Sequence, residues 1–168
     1  MSDLVLSGRV WCFGDDVDTD QMAPWNTLTS VWEERREAIM AGRPGWVDQV
    51  TPGDILVVGK NWGCWSSREQ APENFKELGI AAIIGESFGR TYFRNAVALA
   101  FPHLVCPGIT QHVRDGDHIE VDVFDAEVRV PSQGLVLQGQ PYAPVMQDIV
   151  ARGGLEEVLK AKLAERAS

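Results

Sequence analysis

Short apolar runs alternate with amphipathic segments through the middle of the chain. Three of these runs are typical of strands buried on both faces: residues 55–58, 81–85 and 104–106. Between them, residues 69–78 and 87–99 carry apolar side chains at helical spacing. A strand–helix–strand–helix–strand succession favours parallel pairing with right-handed crossovers. We therefore predict a parallel sheet core over residues 55–106.

The pattern changes on both sides of this core. Residues 4–13 alternate loosely and predict a first strand. Residues 118–124 and 127–130 alternate with period two around a short turn, which predicts a β-hairpin, and residues 135–137 predict one more strand. Two further segments have a helical pattern: residues 144–150 and 155–167. The predicted fold class is α/β, a mixed sheet with a parallel core and a flanking β-hairpin, in one domain spanning residues 1–168.

The most informative stretch is residues 59–72, Gly-Lys-Asn-Trp-Gly-Cys-Trp-Ser-Ser-Arg-Glu-Gln-Ala-Pro, which follows the first apolar run. Ser66 with Glu69, and Ser67 with Gln70, each match the Ser-x-x-Glu/Gln capping box, so a helix is predicted to begin beside the two serines. A helix start with two hydroxyls and the guanidinium of Arg68 suits a bound carboxylate. An ordinary capped helix with a solvated arginine remains the alternative.

An acidic loop follows the first predicted strand. Residues 14–20, Gly-Asp-Asp-Val-Asp-Thr-Asp, hold four carboxylates but lack the remaining ligands of an EF-hand loop. These carboxylates either cap a local turn or orient the cationic and hydroxyl groups of a site. After Pro24, residues 25–29 are expected to form an exposed loop with one large aromatic side chain. A third capping box, Ser30 with Glu33, predicts a helix to about residue 40.

Charge and composition exclude several functions. The formal net charge of −9 argues against a nucleic-acid partner or an anionic membrane surface. The sequence contains neither an apolar stretch of about 18 residues nor a signal-peptide pattern, so a cytoplasmic location is expected. Cys12, Cys64 and Cys106 are widely spaced, and the three histidines lack metal-ligand spacing. We predict free thiols and no metal site.

Three blocks, in order along the chain, resemble motifs of the small subunit of the isopropylmalate dehydratase (isomerase) family, which is equivalent to the swivel domain of aconitases. Residues 14–24 are similar to the family's Gly-Asp-Asn-Ile-Asp-Thr-Asp motif and its following proline. Residues 59–72 resemble Gly-Lys-Asn-Phe-Gly-Cys-Gly-Ser-Ser-Arg-Glu-His-Ala-Pro, and residues 85–96 resemble the Ser-Phe-Ala-Arg-x-Phe-x-Asn-Asn helix. Residues 140–142 and 153–155 also look like the ends of short archaeal-type small subunits. The resemblance covers nearly the whole chain.

The resemblance implies a swivel β/β/α fold and a hydro-lyase reaction. It implies a large subunit as partner, in a heterodimer or heterotetramer, whose three cysteines hold a [4Fe–4S] cluster, so no cofactor is expected on this chain. The family reversibly dehydrates a hydroxy-di- or tricarboxylate, often as an isomerisation in leucine biosynthesis. The expected substrate is a small hydroxy-dicarboxylate such as 3-isopropylmalate.

By position, the resemblance also assigns roles to individual residues. Ser66 matches the catalytic serine, which as an alkoxide removes the proton α to a carboxylate. Arg68 matches the arginine that binds the substrate carboxylate, and Ser67 is expected to donate a hydrogen bond there. Asp18, Thr19 and Asp20 are expected near the same cleft, either orienting groups at the subunit interface or serving a purely structural role.

The departures from the family pattern concern the substrate. Trp62, Trp65 and Gln70 replace the motif's phenylalanine, second glycine and histidine. Trp65 is expected to form an apolar wall beside Ser66. Trp25, Asn26 and Thr27 stand in the loop where the family sets substrate choice, and are predicted to bind substrate.

Other functions remain open at this point. A small subunit of a homoaconitase or of a dimethylmalate-type dehydratase would use the same chemistry. A non-catalytic binding or regulatory module with this fold is an alternative from another class. A nucleotide-binding module is disfavoured, because Gly59-Lys60 lacks the Walker spacing and no G-x-G-x-x-G follows a strand.

Overall fold

Seven strands form one sheet in the order β4-β3-β2-β1-β5-β6-β7. The computed structural model describes residues 4–167. The strands are β1 Val5–Phe13, β2 Ile55–Val58, β3 Ala82–Gly85, β4 His103–Val105, β5 His118–Asp122, β6 Glu127–Val130 and β7 Leu135–Gln138. The helices are α1 Thr19–Met22, α2 Trp32–Ala38, α3 Trp46–Gln49, α4 Gln70–Leu78, α5 Arg90–Ala98, α6 Pro144–Ala151 and α7 Leu155–Ala167. Short 3₁₀ helices cover Trp25–Thr27, Ile109–Gln111 and Pro131–Gln133.

Strand β1 joins two halves of different pairing. Its residues Val5 to Arg9 pair antiparallel with β5, whereas Val10 to Phe13 pair parallel with β2. Strands β2, β3 and β4 continue the parallel half, and β5, β6 and β7 form an antiparallel meander. The predicted parallel core and β-hairpin are confirmed. The parallel pairing of β1 with β2 is a long-range contact that alternation along the chain did not reveal.

The two faces of the sheet have separate cores, which β2 connects. Ile55 and Val57 pack in one cluster with side chains of β5, β6 and α6, while Leu56 and Val58 pack in the other with α3 and α4. This alternation follows from the period of two in a strand. Since all four residues are buried, β2 is the uninterrupted apolar run that the sequence pattern indicated.

Two of the predicted helix starts are wrong. Helix α4 begins at Gln70, with Glu69 as N-cap and no side-chain capping bond. Helix α2 begins at Trp32 after Val31, and neither Ser30 nor Glu33 forms the expected box. The end of α4 is confirmed, since Gly79 caps it at φ 98, in the left-handed region that favours glycine.

Helix α5 also starts later than the helical spacing of residues 87–99 suggests. Gly89 is extended (φ −60, ψ 134), and the helix begins at Arg90. The N–H of Gly89 donates instead to the carbonyl of Trp62, 2.8 Å away, so residues 85–89 are held against the loop that follows β2. No helix within residues 4–167 is long and apolar enough to cross a membrane.

Candidate functional site

The loops that follow β1 and β2 are hydrogen-bonded to each other beyond the sheet. The N–H of Asp16 donates to the carbonyl of Lys60 at 2.9 Å, and the N–H of Gly63 donates to the carbonyl of Val17 at 2.8 Å. The side-chain amide of Asn61 donates to the carboxylate of Asp16 at 2.9 Å. Because β1 and β2 are parallel neighbours, their carboxyl ends share one edge of the sheet, where α/β proteins commonly place ligands.

The loop that follows β3 joins the same edge. The N–H of Trp62 donates to the carbonyl of Ser87 at 3.1 Å, and the N–H of Asn61 donates to the Ser87 hydroxyl at 2.8 Å. The three sequence blocks at residues 14–24, 59–72 and 85–96 therefore meet in space. Chain order alone did not establish this convergence.

Trp62 anchors the central loop in the core. Its side chain is fully buried, and its ring centroid lies 5.7 Å from that of Phe13 and 5.8 Å from that of Phe75. Its indole N–H donates to the hydroxyl of Tyr92 at 3.2 Å. Trp62 thus packs into the core, and this packing fixes the position of the loop residues that follow it.

Gly63 and Gly89 allow the close approach of these loops. A Cβ at Gly63 would lie 2.2 Å from the ring of Tyr92, and the residue has φ 77, which other residues rarely adopt. A Cβ at Gly89 would lie 2.6 Å from the carbonyl oxygen of Gly63. Neither position tolerates a side chain while the loops stay in contact.

A cavity of about 480 Å³ opens at this edge. It contains both serines of the central motif together with Trp65, but Arg68 is not part of its lining. The lining residues are Asn61, Gly63, Cys64, Trp65, Ser66, Ser67, Gly89, Arg90 and Thr91. The volume lies within the range of small-molecule binding sites.

Ser66 is half-buried in this cavity, and its hydroxyl does not cap the helix as expected. The Oγ atom accepts a hydrogen bond of 3.3 Å from the backbone N–H of Arg68. Ser67 is exposed, and its carbonyl accepts from the side-chain amide of Asn95 at 3.0 Å. The serines lie in a loop before α4 instead of at its first turn. That loop is held by α5, so both hydroxyls are left available to a ligand.

Arg68 is tied to the acidic loop. Its Nη1 atom forms an ion pair with the carboxylate of Asp20 and donates to the carbonyl of Ala23 at 3.1 Å. Within residues 4–167, neither Nη2 nor Nε of this guanidinium has a hydrogen-bond partner. The Nη2 and Nε edge of the guanidinium is therefore free to bind a carboxylate, while Nη1 is held in place.

Asp18 and Thr19 make local contacts in and beside the acidic loop. The Asp18 carboxylate caps helix α1, accepting from the N–H of Gln21 at 3.1 Å. Thr19 is 1% exposed, and its N–H donates to the carbonyl of Cys64 at 3.4 Å. Both residues hold the acidic loop against the central loop, which leaves Asp20 as the member that reaches a cationic side chain.

The predicted substrate-binding residues fall into two groups. Trp65 lines the cavity, is 89% exposed, and adopts φ 73 where the family motif has glycine. Trp25, Asn26 and Thr27 form a 3₁₀ helix instead of an irregular loop, closed by the Thr27 hydroxyl donating to the carbonyl of Pro24 at 2.8 Å. Trp25 is 75% exposed, and these three residues lie outside the cavity lining, beyond the Ala23 carbonyl that Arg68 contacts.

The cysteines are free thiols in separate parts of the fold. Burial raises the pKa of the Cys106 thiol to about 11, and burial also raises the pKa of Cys64, to which the charges of Asp18 and Asp16 add. These thiols stay protonated at neutral pH, whereas a metal ligand must be a thiolate. No group of three or more histidine, cysteine, aspartate or glutamate side chains in the described residues could hold a metal ion, so they do not fit an iron–sulfur cluster.

Sequence reasoning missed six of the nine lining residues: Gly63, Cys64 and Gly89, and the three with longer polar side chains, Asn61, Arg90 and Thr91. All six lie inside the recognised blocks, and only their place in the fold distinguishes them from neighbours such as Arg94. Tyr92 is buried. It is also a hydrogen-bond bridge, because its hydroxyl lies 3.0 Å from Nε2 of the buried His103 as well as next to the indole N–H of Trp62.

Comparison with known proteins gives the same family throughout the chain. Residues 27–103 match the aconitase C-terminal domain family. The isopropylmalate/citramalate isomerase small subunit of Methanocaldococcus jannaschii is 43% identical over 163 residues, covering 96% of this chain and 97% of the relative. The methanogen homoaconitase small subunit of Methanothermobacter thermautotrophicus is 40% identical over 153 residues, covering 90% and 88%.

A solved structure agrees with these sequence relatives. The crystal structure of 3-isopropylmalate dehydratase from Methanocaldococcus jannaschii superposes with a TM-score of 0.89 at 33% identity, covering 98% of both chains. The predicted swivel fold is thereby confirmed. The chain belongs to the family of 3-isopropylmalate dehydratase small subunits, the hydro-lyase subunits that share the aconitase C-terminal fold.

Proposed function

We propose that this chain is the small subunit of a hydro-lyase that reversibly dehydrates and rehydrates a hydroxy-dicarboxylate such as 3-isopropylmalate. The observation that carries the proposal is the position of Ser66, half-buried in a cavity of about 480 Å³ with its Oγ accepting the Arg68 N–H. The single domain predicted for residues 1–168 is part of this proposal, and the continuous sheet from β4 to β7 in the described residues supports it.

Ser66 is the base in this proposal. Its oxygen takes the proton α to a substrate carboxylate, the electron pair of that C–H bond forms the C=C bond, and the hydroxyl group leaves with the electron pair of the C–O bond, to be released as water once it takes up a proton. A serine hydroxyl is too weak an acid to ionise at neutral pH without help. A hydrogen bond from the Arg68 backbone favours the charged form, as does nearby positive charge.

Arg68 and Ser67 hold a substrate carboxylate. The free Nη2 and Nε edge of Arg68 matches the two oxygens of a carboxylate, which a guanidinium binds through two parallel hydrogen bonds. Asp20 fixes the opposite corner of the same guanidinium, which supports an orienting role for the acidic loop. Ser67 is exposed beside Ser66 and adds a hydroxyl donor.

The active enzyme requires a large subunit. The small-subunit relatives imply such a partner, and a [4Fe–4S] cluster on it is part of our proposal. The described residues of this chain offer no ligand set for that cluster, so this chain contributes the base and the carboxylate-binding groups. The stoichiometry of the complex and its cytoplasmic location stay predictions from the sequence.

The substrate's side chain meets apolar surface supplied by Trp65, and we assign Trp25, Asn26 and Thr27 to the same recognition surface in the assembled enzyme. The exposure of both tryptophans supports this assignment, because their rings are accessible to a substrate or to the partner subunit. A homoaconitase substrate is the second candidate, favoured by the relative of that name at 40% identity.

The test is anaerobic co-purification with a large subunit, cluster reconstitution, and a panel of acids: 3-isopropylmalate, citramalate, dimethylmalate and homocitrate. Absorbance of the unsaturated product reports turnover. Activity on one acid supports the proposal and identifies the substrate. A stable complex with an intact cluster that turns over none of them contradicts it, and a non-catalytic module becomes the better interpretation.

A further inference from the structure

The cavity that holds the two serines is lined by a different arginine from the one the sequence motif indicates. Ser66, Ser67 and Arg90 belong to its lining, whereas Arg68 does not. The lining comes from two segments, the loop after β2 and the start of α5. Arg90 is thus the one lining residue of this cavity with a cationic side chain, and it also borders a second cavity together with Arg94.

The charge of Arg90 is uncompensated within residues 4–167. Its guanidinium has no ion pair, no hydrogen bond and no cation–π contact in this part of the chain, and the side chain is exposed. Arg68, by contrast, has Nη1 committed to Asp20 and to the carbonyl of Ala23. Arg94 on the same helix also lacks such a partner in the described residues, so the property that distinguishes Arg90 is its place in the lining of the serine cavity.

The chemistry of the proposed reaction calls for a second cation. A hydroxy-dicarboxylate brings two negative charges into the site, and removal of the α proton places additional charge on one carboxylate. Each charge taken out of water needs a paired group to offset its desolvation. One guanidinium binds one carboxylate bidentately, so the other carboxylate needs a second cationic group, from this chain or from its partner.

We propose that Arg90 binds the second carboxylate of the substrate, while Arg68 binds the one next to the reacting carbon. This inference rests on the proposed function. The side chain of Thr91, which also lines the cavity, is a neighbouring hydroxyl donor for the same carboxylate.

The experiment compares Arg90→Gln with Arg94→Gln in the assembled, cluster-containing complex. Arg94 is a matched control, because it lies one turn later on α5, is exposed, and is absent from the serine cavity. We expect Arg90→Gln to raise KM for the active acid at least tenfold, Arg90→Lys to restore part of the loss, and Arg94→Gln to stay within twofold of the wild type.

A binding measurement separates carboxylate recognition from a general effect of charge. Calorimetry would compare a dicarboxylate inhibitor, 2-isopropylmalonate, with its mono-amide. In the wild-type complex we expect the mono-amide to bind more weakly than the diacid. With Arg90→Gln, affinity for the diacid should fall to that of the mono-amide, while Arg94→Gln preserves the difference.

The results distinguish failure of this inference from failure of the proposed function. If the wild-type complex turns over an acid and Arg90→Gln behaves like Arg94→Gln, the inference is wrong and the proposed function stands. If Arg90→Gln no longer co-purifies with the large subunit, Arg90 is an interface residue and the inference is also wrong. If the wild-type complex is inactive, the proposed function fails, and calorimetry still decides whether Arg90 binds a carboxylate.

Discussion

The guanidinium of Arg68 is ion-paired with Asp20, a residue that lies 48 positions earlier on the acidic loop. The contact uses Nη1 alone and leaves the Nη2 and Nε edge open. Asp20 therefore positions the arginine without occupying the edge that a substrate carboxylate would use. This is a geometric link between two motifs that are far apart in sequence.

Replacing Asp20 with asparagine tests that link. We expect Asp20→Asn to raise KM about tenfold, corresponding to about 1.4 kcal/mol, because the arginine loses its orientation while the local shape is kept. Steady-state kinetics of the assembled complex measure it. Asp48→Asn is the matched control, because Asp48 forms an ion pair of similar exposure with Arg36, away from the site. The side chains of Asp48 and Arg36 are 71% and 32% exposed, and those of Asp20 and Arg68 are 64% and 23% exposed. Equal kinetics of the two variants would contradict the positioning role.

Ser66→Ala should abolish turnover without unfolding the chain. The Ser66 hydroxyl accepts one hydrogen bond, from an adjacent backbone N–H that water can reach after the change, so we expect the free energy of unfolding to fall by about 1 kcal/mol at most. Turnover should fall by at least three orders of magnitude, since the base is missing. Product absorbance and urea unfolding measure the two effects. Turnover near the wild-type rate would overturn the assigned role.

Trp65 adopts a backbone conformation that suits glycine. It has φ 73, and a side chain with a Cβ costs about 1 kcal/mol in this region. We therefore expect Trp65→Gly to be more stable than Trp65→Ala by about 1 kcal/mol, as measured by urea denaturation. At the neighbouring Ser67, whose φ is not positive, the same comparison should favour alanine over glycine. A preference for alanine at both positions would show that residue 65 is unstrained in solution.

Gly63→Ala should damage both stability and the site. The added methyl group would overlap the ring of Tyr92 at 2.2 Å and would sit at φ 77. Strain and overpacking together should lower the free energy of unfolding by about 3 kcal/mol. Gly42→Ala is the control, because nothing lies within 4 Å of its Cβ position and its φ is not positive. Thermal unfolding of the two variants measures the difference, and similar melting temperatures would argue against the close approach.

His103 makes stability depend on pH. Burial lowers its pKa to about 3, with Nδ1 3.0 Å from the Phe101 carbonyl and Nε2 3.0 Å from the Tyr92 hydroxyl. Below its ordinary pKa of about 6.5 the unfolded chain gains a proton there that the folded chain does not, so stability falls as pH falls towards 3. Between pH 7.5 and 5 this loss should amount to about 2 kcal/mol.

Two variants isolate this effect by urea unfolding at each pH. His103→Gln is expected to be less stable at pH 7.5 but to lose that part of the pH dependence, while His118→Gln, on an exposed side chain, should retain it. The carboxyl pKa values of Asp54 and Glu86 are lowered by their hydrogen bonds despite burial, so those groups titrate below this window. A pH dependence unchanged in His103→Gln would show that another group causes it.

The elements with local signals were predictable from the sequence. Strand β2 has its predicted bounds because its four consecutive apolar residues are all buried, on both faces of the sheet. Gly79 ends α4 because its left-handed backbone conformation favours glycine. The capping box predicted at Ser66 is wrong because the Ser66 hydroxyl accepts a hydrogen bond from the backbone N–H of Arg68 instead. A capping pattern indicates which bonds a serine can make and does not decide between competing partners.

Which residues form the site depends on long-range contacts, and local sequence patterns do not predict these. The Asp20–Arg68 pair forms because β1 and β2 are parallel neighbours, and the entry of Arg90 into the cavity depends on where Gly89 lets α5 begin. Both relations join segments brought together by the sheet. Recognition of the family identified which blocks matter, but it did not give the arrangement of their side chains.

The central place of β1 has a consequence for how the protein loses its activity on denaturation. The strand belongs to both halves of the sheet, and its parallel part continues directly into the bonds from Asp16 to Lys60 and from Val17 to Gly63. An opening that detaches β1 therefore breaks, in one event, the sheet and the paired loops beside the serine cavity. Amide hydrogens in the paired loops should exchange with solvent through the same cooperative opening as those of the sheet, so inactivation and unfolding follow a single transition.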